Sequence, residues 1–246
     1  MASSHVGKTV MNRLLVLCLG LLVSDLALST NMIVNGDFES GVLNFSSDYT
    51  DLTGNCRAST PDNPCYIFPQ DFAVDVDSNI YNRRYFKQLG DHTSGFDGSA
   101  YTGRTGKFFI SDVSGDTSLA PWISEKTIVV DSTSTTYRFE AWIADVNGDP
   151  GATAQPSLQF EIGDGTNWVA IGTPLVLPAN KTDNQGWTLV AEDMTFSGTG
   201  LFQVRLRNNQ TGTIGNDLGL DDISFDICAN SPSVGSVACS GTPQAI

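Results

Sequence analysis

The residues of this chain whose types and spacing suit chemistry are carboxylates and indoles. No nucleophile stands beside a base. Asp145-Val146-Asn147-Gly148-Asp149 has the D-x-N-G-D look of a calcium loop. An EF-hand loop needs Glu at its twelfth position and Gly at its sixth. Here the twelfth is Pro156 and the Gly stands fourth. The segment therefore reads as a turn between strands, with a rim contact to calcium or sugar as the alternative. The four tryptophans are Trp122, Trp142, Trp168 and Trp187. An exposed indole offers apolar area that stacks on ring CH groups, and a few placed polar groups fix the orientation. Trp142 alternates against Tyr137, Phe139 and Ala141, Trp122 follows Pro121, and Trp168 follows a Gly-Asp-Gly turn. Those three are the candidate binding indoles, and Trp187 reads as structural. Tyr101 and Arg104 fall in a Gly-rich loop that is expected at the rim. Catalytic signatures are missing: there is no G-x-S-x-G, no H-E-x-x-H and no Gly-rich phosphate loop. No carboxylate pair is marked by spacing as a glycoside-hydrolysing pair. The expectation is a protein that binds rather than reacts.

Charge narrows the partners. Thirteen Lys and Arg face 27 Asp and Glu, for a net charge of −14. That balance argues against nucleic-acid phosphates and against docking on anionic lipid. Neutral sugars and divalent cations remain.

Lys8 and Arg13 precede the apolar run LLVLCLGLLV at 14–23, and Ala27-Leu28-Ser29 supplies a small-x-small site. This is the layout of a secretory signal peptide over residues 1–30. The run is too short to span a bilayer, which takes about 20 residues, so no membrane insertion of the mature chain is expected. Removing the segment leaves a still more acidic chain, secreted or held at the cell surface. Cys56, Cys65, Cys228 and Cys239 would then remain. An even count in a secreted chain points to disulfides. Three connectivities are open. The local pairing Cys56–Cys65 and Cys228–Cys239 is preferred because each closes a short Pro/Ser/Asn-rich loop. Zinc is disfavoured, since neither pair has C-x₂-C spacing.

The elements that must position these residues are strands. Short alternating runs at 72–76, 107–113, 126–130, 137–146, 157–162, 168–171, 187–196, 201–206 and 218–225 are separated by Gly, Asn, Asp and Ser clusters. No sustained 3.6-residue period occurs after residue 30. The prediction is all-β, a two-sheet antiparallel β-sandwich over 31–228, with a Ser/Pro/Gly-rich linker or tail at 229–246.

Three segments carry a resemblance. They are Asn35-Gly36-Asp37-Phe38-Glu39, Gly90-Asp91-His92-Thr93-Ser94-Gly95, and Leu220-Asp221-Asp222-Ile223-Ser224-Phe225. With them the chain resembles secreted bacterial jelly-roll modules of the galactose-binding-like superfamily, similar to family 4/9/22 carbohydrate-binding modules. The resemblance implies a jelly roll that binds a polysaccharide or cell-surface glycan, with His92 as a further ligand contact. It also implies a structural calcium where the first strand meets the last. Glu39 and Asp221 are favoured as its ligands by position in the motif, with Asp37 next. If the first segment is extended, Asn35, Asp37 and Glu39 share a face and Phe38 points into the core. Asp221 and Asp222 should then point to opposite faces of the last strand. The competing reading is a structural or adhesive surface domain without a small ligand.

Overall fold

A computed structural model describes residues 31–55, 65–81, 85–93, 105–178, 186–229, 237–238 and 243–246. The signal segment, Tyr101, Arg104, Cys56 and Cys239 lie outside the described residues. Among the described residues, no helix is long and apolar enough to cross a membrane.

The alternating runs become two packed sheets. One has the strand order β1 (Phe45–Ser46), β5 (Trp122–Ser124), β11 (Gly200–Asn208), β8 (Ser157–Gly163) and β9 (Trp168–Val176), with β6 (Ile128–Val130) also paired to β11. The other runs β14 (Gln244–Ala245), β10 (Trp187–Thr195), β7 (Tyr137–Asp145), β12 (Leu218–Ala229), β4 (Phe108–Asp112), β3 (Asp71–Asp75) and β2 (Thr50–Asp51), with β13 (Val237–Ala238) beside β12. The long pairings are all antiparallel, and the two-residue strands β2, β13 and β14 pair in parallel. This is the expected all-β sandwich.

Period-2 alternation decides which side chains enter the core. Tyr137, Phe139, Ala141 and Ile143 of β7 are all fully buried between the sheets, against Phe160, Ile162, Val204 and Leu206 of the opposing sheet. The other side of β7 carries Arg138, Glu140, Trp142 and Ala144. That outer face is partly covered by a second apolar layer, in which Trp187, Phe108 and Ile110 pack under Tyr81, Phe86 and Leu89 from the long loops. The irregular stretch before β4 thus roofs one end of the larger sheet.

Within 229–246, the described residues 243–246 dock on the sandwich. Ile246 packs against the main core, and its amide donates to the Thr195 carbonyl (2.8 Å). Gln244 bridges to β9, accepting the Gly172 amide (2.9 Å) and donating to the Ala170 carbonyl (2.9 Å). An open sheet edge at β10 and an apolar residue to bury outweigh the linker-like composition.

Candidate functional site

The three motif segments meet at one place on the outer face of the larger sheet. Residues 31–41 dock along the end of β12. Met32 N–H donates to the Phe225 carbonyl (2.9 Å), Ile223 N–H donates to the Gly36 carbonyl (2.9 Å), and the Asn31 amide donates to the Ile223 carbonyl (2.8 Å). Gly36 is required by closeness: a Cβ there would overlap the Ile223 carbonyl. The segment is a turn rather than the extended strand expected. Asn35 and Phe38 have φ of 57° and 53°. The Asn35 side chain closes the turn, donating to Gly41 and Leu43 carbonyls (both 2.8 Å) and accepting the Ser40 amide (2.9 Å). Phe38 does enter the core, fully buried against Phe45 and Phe109.

The last strand departs from strict alternation. The β12–β7 register runs Asp221↔Trp142 and then Ser224↔Glu140, so β12 carries one extra residue. Asp222 takes up the bulge with φ of 46°. Leu220, Ile223 and Phe225 all stay in the core, while the expectation of opposed aspartates fails. Both carboxylates meet the same residue. His92 N–H donates to Asp221 Oδ2 (2.8 Å), and His92 Nδ1 lies 2.7 Å from Asp222 Oδ2. The imidazole stacks on Trp142 at 3.7 Å between centroids and 17° between planes, and Trp187 meets it edge-on at 6.2 Å.

Asp221 is 1% exposed. Burial, and then the charge of Asp222, pushes its carboxyl up to about 9, against hydrogen bonds from the His92 and Asp222 amides. A cavity of about 460 Å³ opens beside it, lined by Trp142, Asp222, Glu140, Asp37, Asn31 and Asn35 among others. Glu140 escaped the sequence reading, although it stands two residues before Trp142 and therefore shares its face. Asp222 escaped as well, because nothing in the sequence marks the bulge.

The remaining candidates do not join this site. Trp122 is 1% exposed and sits in the main core, because its ladder partner Leu206 faces inward. Its expected role as a binding indole is corrected. Trp168 belongs to the other sheet. The Arg205 guanidinium lies 4.0 Å from its ring centroid, held in turn by Glu161 (2.6 Å). Residues 145–151 form successive side-chain-closed turns: Asp145 accepts from Asn147 N–H, Asn147 from Asp149 N–H, and Asp149 from Gly151 N–H (2.8 Å each). That bears out the turn reading of the D-x-N-G-D segment.

The expected calcium ligands have the hard oxygen donors that calcium takes, but the structure does not gather them. Asp221 is buried among Asp91 and Asp222. Glu39 Oε1 accepts the Lys107 amide (2.8 Å), and exposed Asp37 turns to the Glu39 amide (3.3 Å). Among the described residues, no three His, Cys, Asp or Glu side chains come close enough to hold a metal ion.

A second set of acids is buried on the same outer face. Asp71 of β3 is the ladder partner of Asp112 of β4, and Asp217 immediately precedes the Leu218↔Ser111 pair. The Asp112 and Asp217 carboxyls hydrogen-bond to each other, and burial raises both well above the ordinary carboxylate range.

The architecture and the site define the class: a jelly-roll β-sandwich with a lined cavity on its larger sheet. No protein-family model matches the chain, and no curated protein matches it. Solved structures do. One is the C-terminal domain of EclA, a sugar-binding protein (16% identity, 40% of this chain and 62% of that one, TM-score 0.31). Another is the CBM22-1–CBM22-2 tandem of Paenibacillus barcinonensis Xyn10C (12%, 86% and 47%, TM-score 0.43). A third is TmCBM61 in complex with β-1,4-galactotriose (14%, 81% and 99%, TM-score 0.39). The chain thus spans about three fifths of the EclA domain and about half of the tandem.

Proposed function

We propose that this chain is a secreted, non-catalytic glycan-binding module whose site is the cavity beside Trp142. The observation that carries the reading is the convergence of all three motif segments on that one half-buried indole, at a cavity edged with carboxylates. Such a cavity combines apolar ring area with a few fixed polar groups, which is what saccharide recognition uses. Replacing Trp142 by Ala should lower oligosaccharide affinity at least about tenfold, the loss of one aromatic anchor. The check is affinity electrophoresis across a panel of soluble polysaccharides, with circular dichroism to confirm the fold. Equal retardation of the variant would reject the site. Absence of retardation on every polysaccharide would favour the adhesive-domain reading.

Calcium belongs to the same proposal. Glu39 and Asp221, with Asp37 next, would have to draw together beside the start of β4 to hold it, and it would neutralise a buried carboxylate. Saturating calcium should raise the Tm by several degrees over EGTA by mass action, and Glu39→Gln should abolish the rise. An unchanged Tm in EGTA would remove the ion from the account. The pairings Cys56–Cys65 and Cys228–Cys239 are proposed with it, supported by the bonded state of Cys65 and Cys228. Export by the segment 1–30 supplies the oxidising compartment they need.

A further inference from the structure

We infer that the Trp142 cavity selects amino sugars, saccharides that carry a free, protonated amino group on the ring. The inference rests on the glycan-binding reading and adds the chemical class of the ligand.

Charge is the first ground. Asp37, Glu140 and Asp222 line the cavity, and none of the described residues lining it is Lys or Arg. One nearby cation compensates Glu140, which leaves Asp37 and Asp222 to set the charge of the cavity. Arg138 bridges Glu140 Oε1 (2.7 Å) and Asp193 Oδ1 (2.9 Å), and the Lys107 ammonium lies on the Glu39 carbonyl (3.3 Å). Around them is a chain of net charge −14, whose field draws cations and repels anions.

Hydrogen-bond polarity is the second ground. A sugar hydroxyl both donates and accepts, whereas an ammonium only donates. The two amides of the cavity are engaged by backbone. Asn31 Oδ1 accepts the Ile33 and Phe225 amides (2.9 and 3.0 Å), and Asn35 closes its own turn. With Asp222 Oδ2 on His92 and Glu140 Oε1 on Arg138, the lining still offers the second oxygens of these carboxylates and Asp37, acceptors suited to a donor-only group.

Aromatic area is the third. His92 covers one face of Trp142, so the platform for stacking on an uncharged pyranose is reduced. A cation beside the indole still gains from the ring quadrupole. The balance shifts from stacking toward charge.

The test uses the chain with its disulfides formed and titrates it calorimetrically at 150 mM salt. The ligands are a glucosamine tetramer, its N-acetylated counterpart, a xylose tetramer, a galacturonate tetramer and a lysine tetramer. The glucosamine tetramer should bind at least about tenfold tighter than each of the others. Its advantage should shrink at 500 mM salt, and Asp37→Asn combined with Asp222→Asn should cut its affinity about tenfold. If the N-acetylated or xylose tetramer binds as tightly, selection for the amine is overturned and glycan binding stands. If the lysine tetramer binds as tightly, the attraction is mere polycation binding and the inference falls. If the double variant binds the amine unchanged, the cavity assignment falls. If no saccharide binds, both readings fall together.

Discussion

Replacing Gly36 by Ala should unseat the N-terminal segment and cost more than about 3 kcal/mol, at the severe end for a single substitution. The added Cβ would overlap the Ile223 carbonyl oxygen, with the Ile223 carbonyl carbon also close at 2.9 Å. These are backbone atoms of β12, whose residues on either side, Asp221 and Ser224, are laddered to β7. They cannot move aside as the tip of a flexible side chain would. The segment must lift instead, and lifting breaks the Ile223-to-Gly36 hydrogen bond and strains those of Asn31 and Met32. It also draws Phe38 away from Phe45 and Phe109. Gly41 is the control. Its φ of 69° is left-handed, but nothing lies within 4 Å of where its Cβ would stand. Gly41→Ala should therefore cost only the conformational penalty, about 1–2 kcal/mol. Urea unfolding of the two variants reads the difference. Gly36→Ala should also weaken glycan binding, since Gly36 and Asn35 help line the Trp142 cavity. Equal stability of the two variants would mean that residues 31–41 do not sit on β12 as described.

The contrast between these glycines shows where sequence reading succeeds and where it stops. Alternation along 137–146 announced both faces of β7, and both are as expected, because the partition of Tyr137, Phe139 and Ala141 from Trp142 follows from the pleat alone. The meeting of the opening and closing motifs was legible too, through the resemblance. The bulge was not. A run such as Leu220-Asp221-Asp222-Ile223 reads equally well with or without an extra residue, and only the pairing with Trp142 and Glu140 reveals it. Trp122 failed for a different reason. Its strand is three residues long, too short for alternation to declare a face, and Leu206 across the ladder decides it. The outer apolar layer depends on long-range contacts of loop residues such as Tyr81, Phe86 and Leu89. Their spacing follows no period, so no local pattern could place them.

Raising the pH from 5 to 9 should destabilise the protein steadily, with the Tm falling by more than about 10 °C, at about 2–4 °C per kcal/mol for a chain of this size. The sign follows from the buried acids. Asp221 is raised to about 9 by burial and by Asp222. The Asp112–Asp217 pair is raised by burial, with the charge of Asp71 adding at Asp112 and those of Asp112 and Asp145 adding at Asp217. In the unfolded chain these groups titrate near the ordinary value of about 3.9. Between that value and their folded values, the folded state holds protons that the unfolded state has released. Stability is therefore complete below about pH 4 for these groups and is lost as the pH climbs through the folded values, at about 1.4 kcal/mol per pH unit for each extra proton held. Asp116 and Asp164 shift the other way, through hydrogen bonds from Ser118 and Asn167, so their contribution changes only on acidification below the ordinary range. They leave the slope between pH 5 and 9 to the buried acids. Asp145, also raised by burial, joins that set, and Lys87, lowered by burial, opposes it. Asp217→Asn keeps a polar partner for Asp112 and removes one of the like charges. That variant should match the parent near pH 5, exceed it at pH 8.5 and show a flatter profile, because Asp217 no longer needs a proton to stay buried. Calcium separates the two acid sites. If it sits at Glu39 and Asp221, it favours the ionised Asp221 carboxylate and should reduce the part of the slope that survives in Asp217→Asn. Scanning calorimetry of the parent and the variant at pH 5, 7 and 8.5, in calcium and in EGTA, resolves all three effects. A parent Tm that rises from pH 5 to 9 in EGTA would show that these carboxyls are already ionised in the fold, held by a cationic partner.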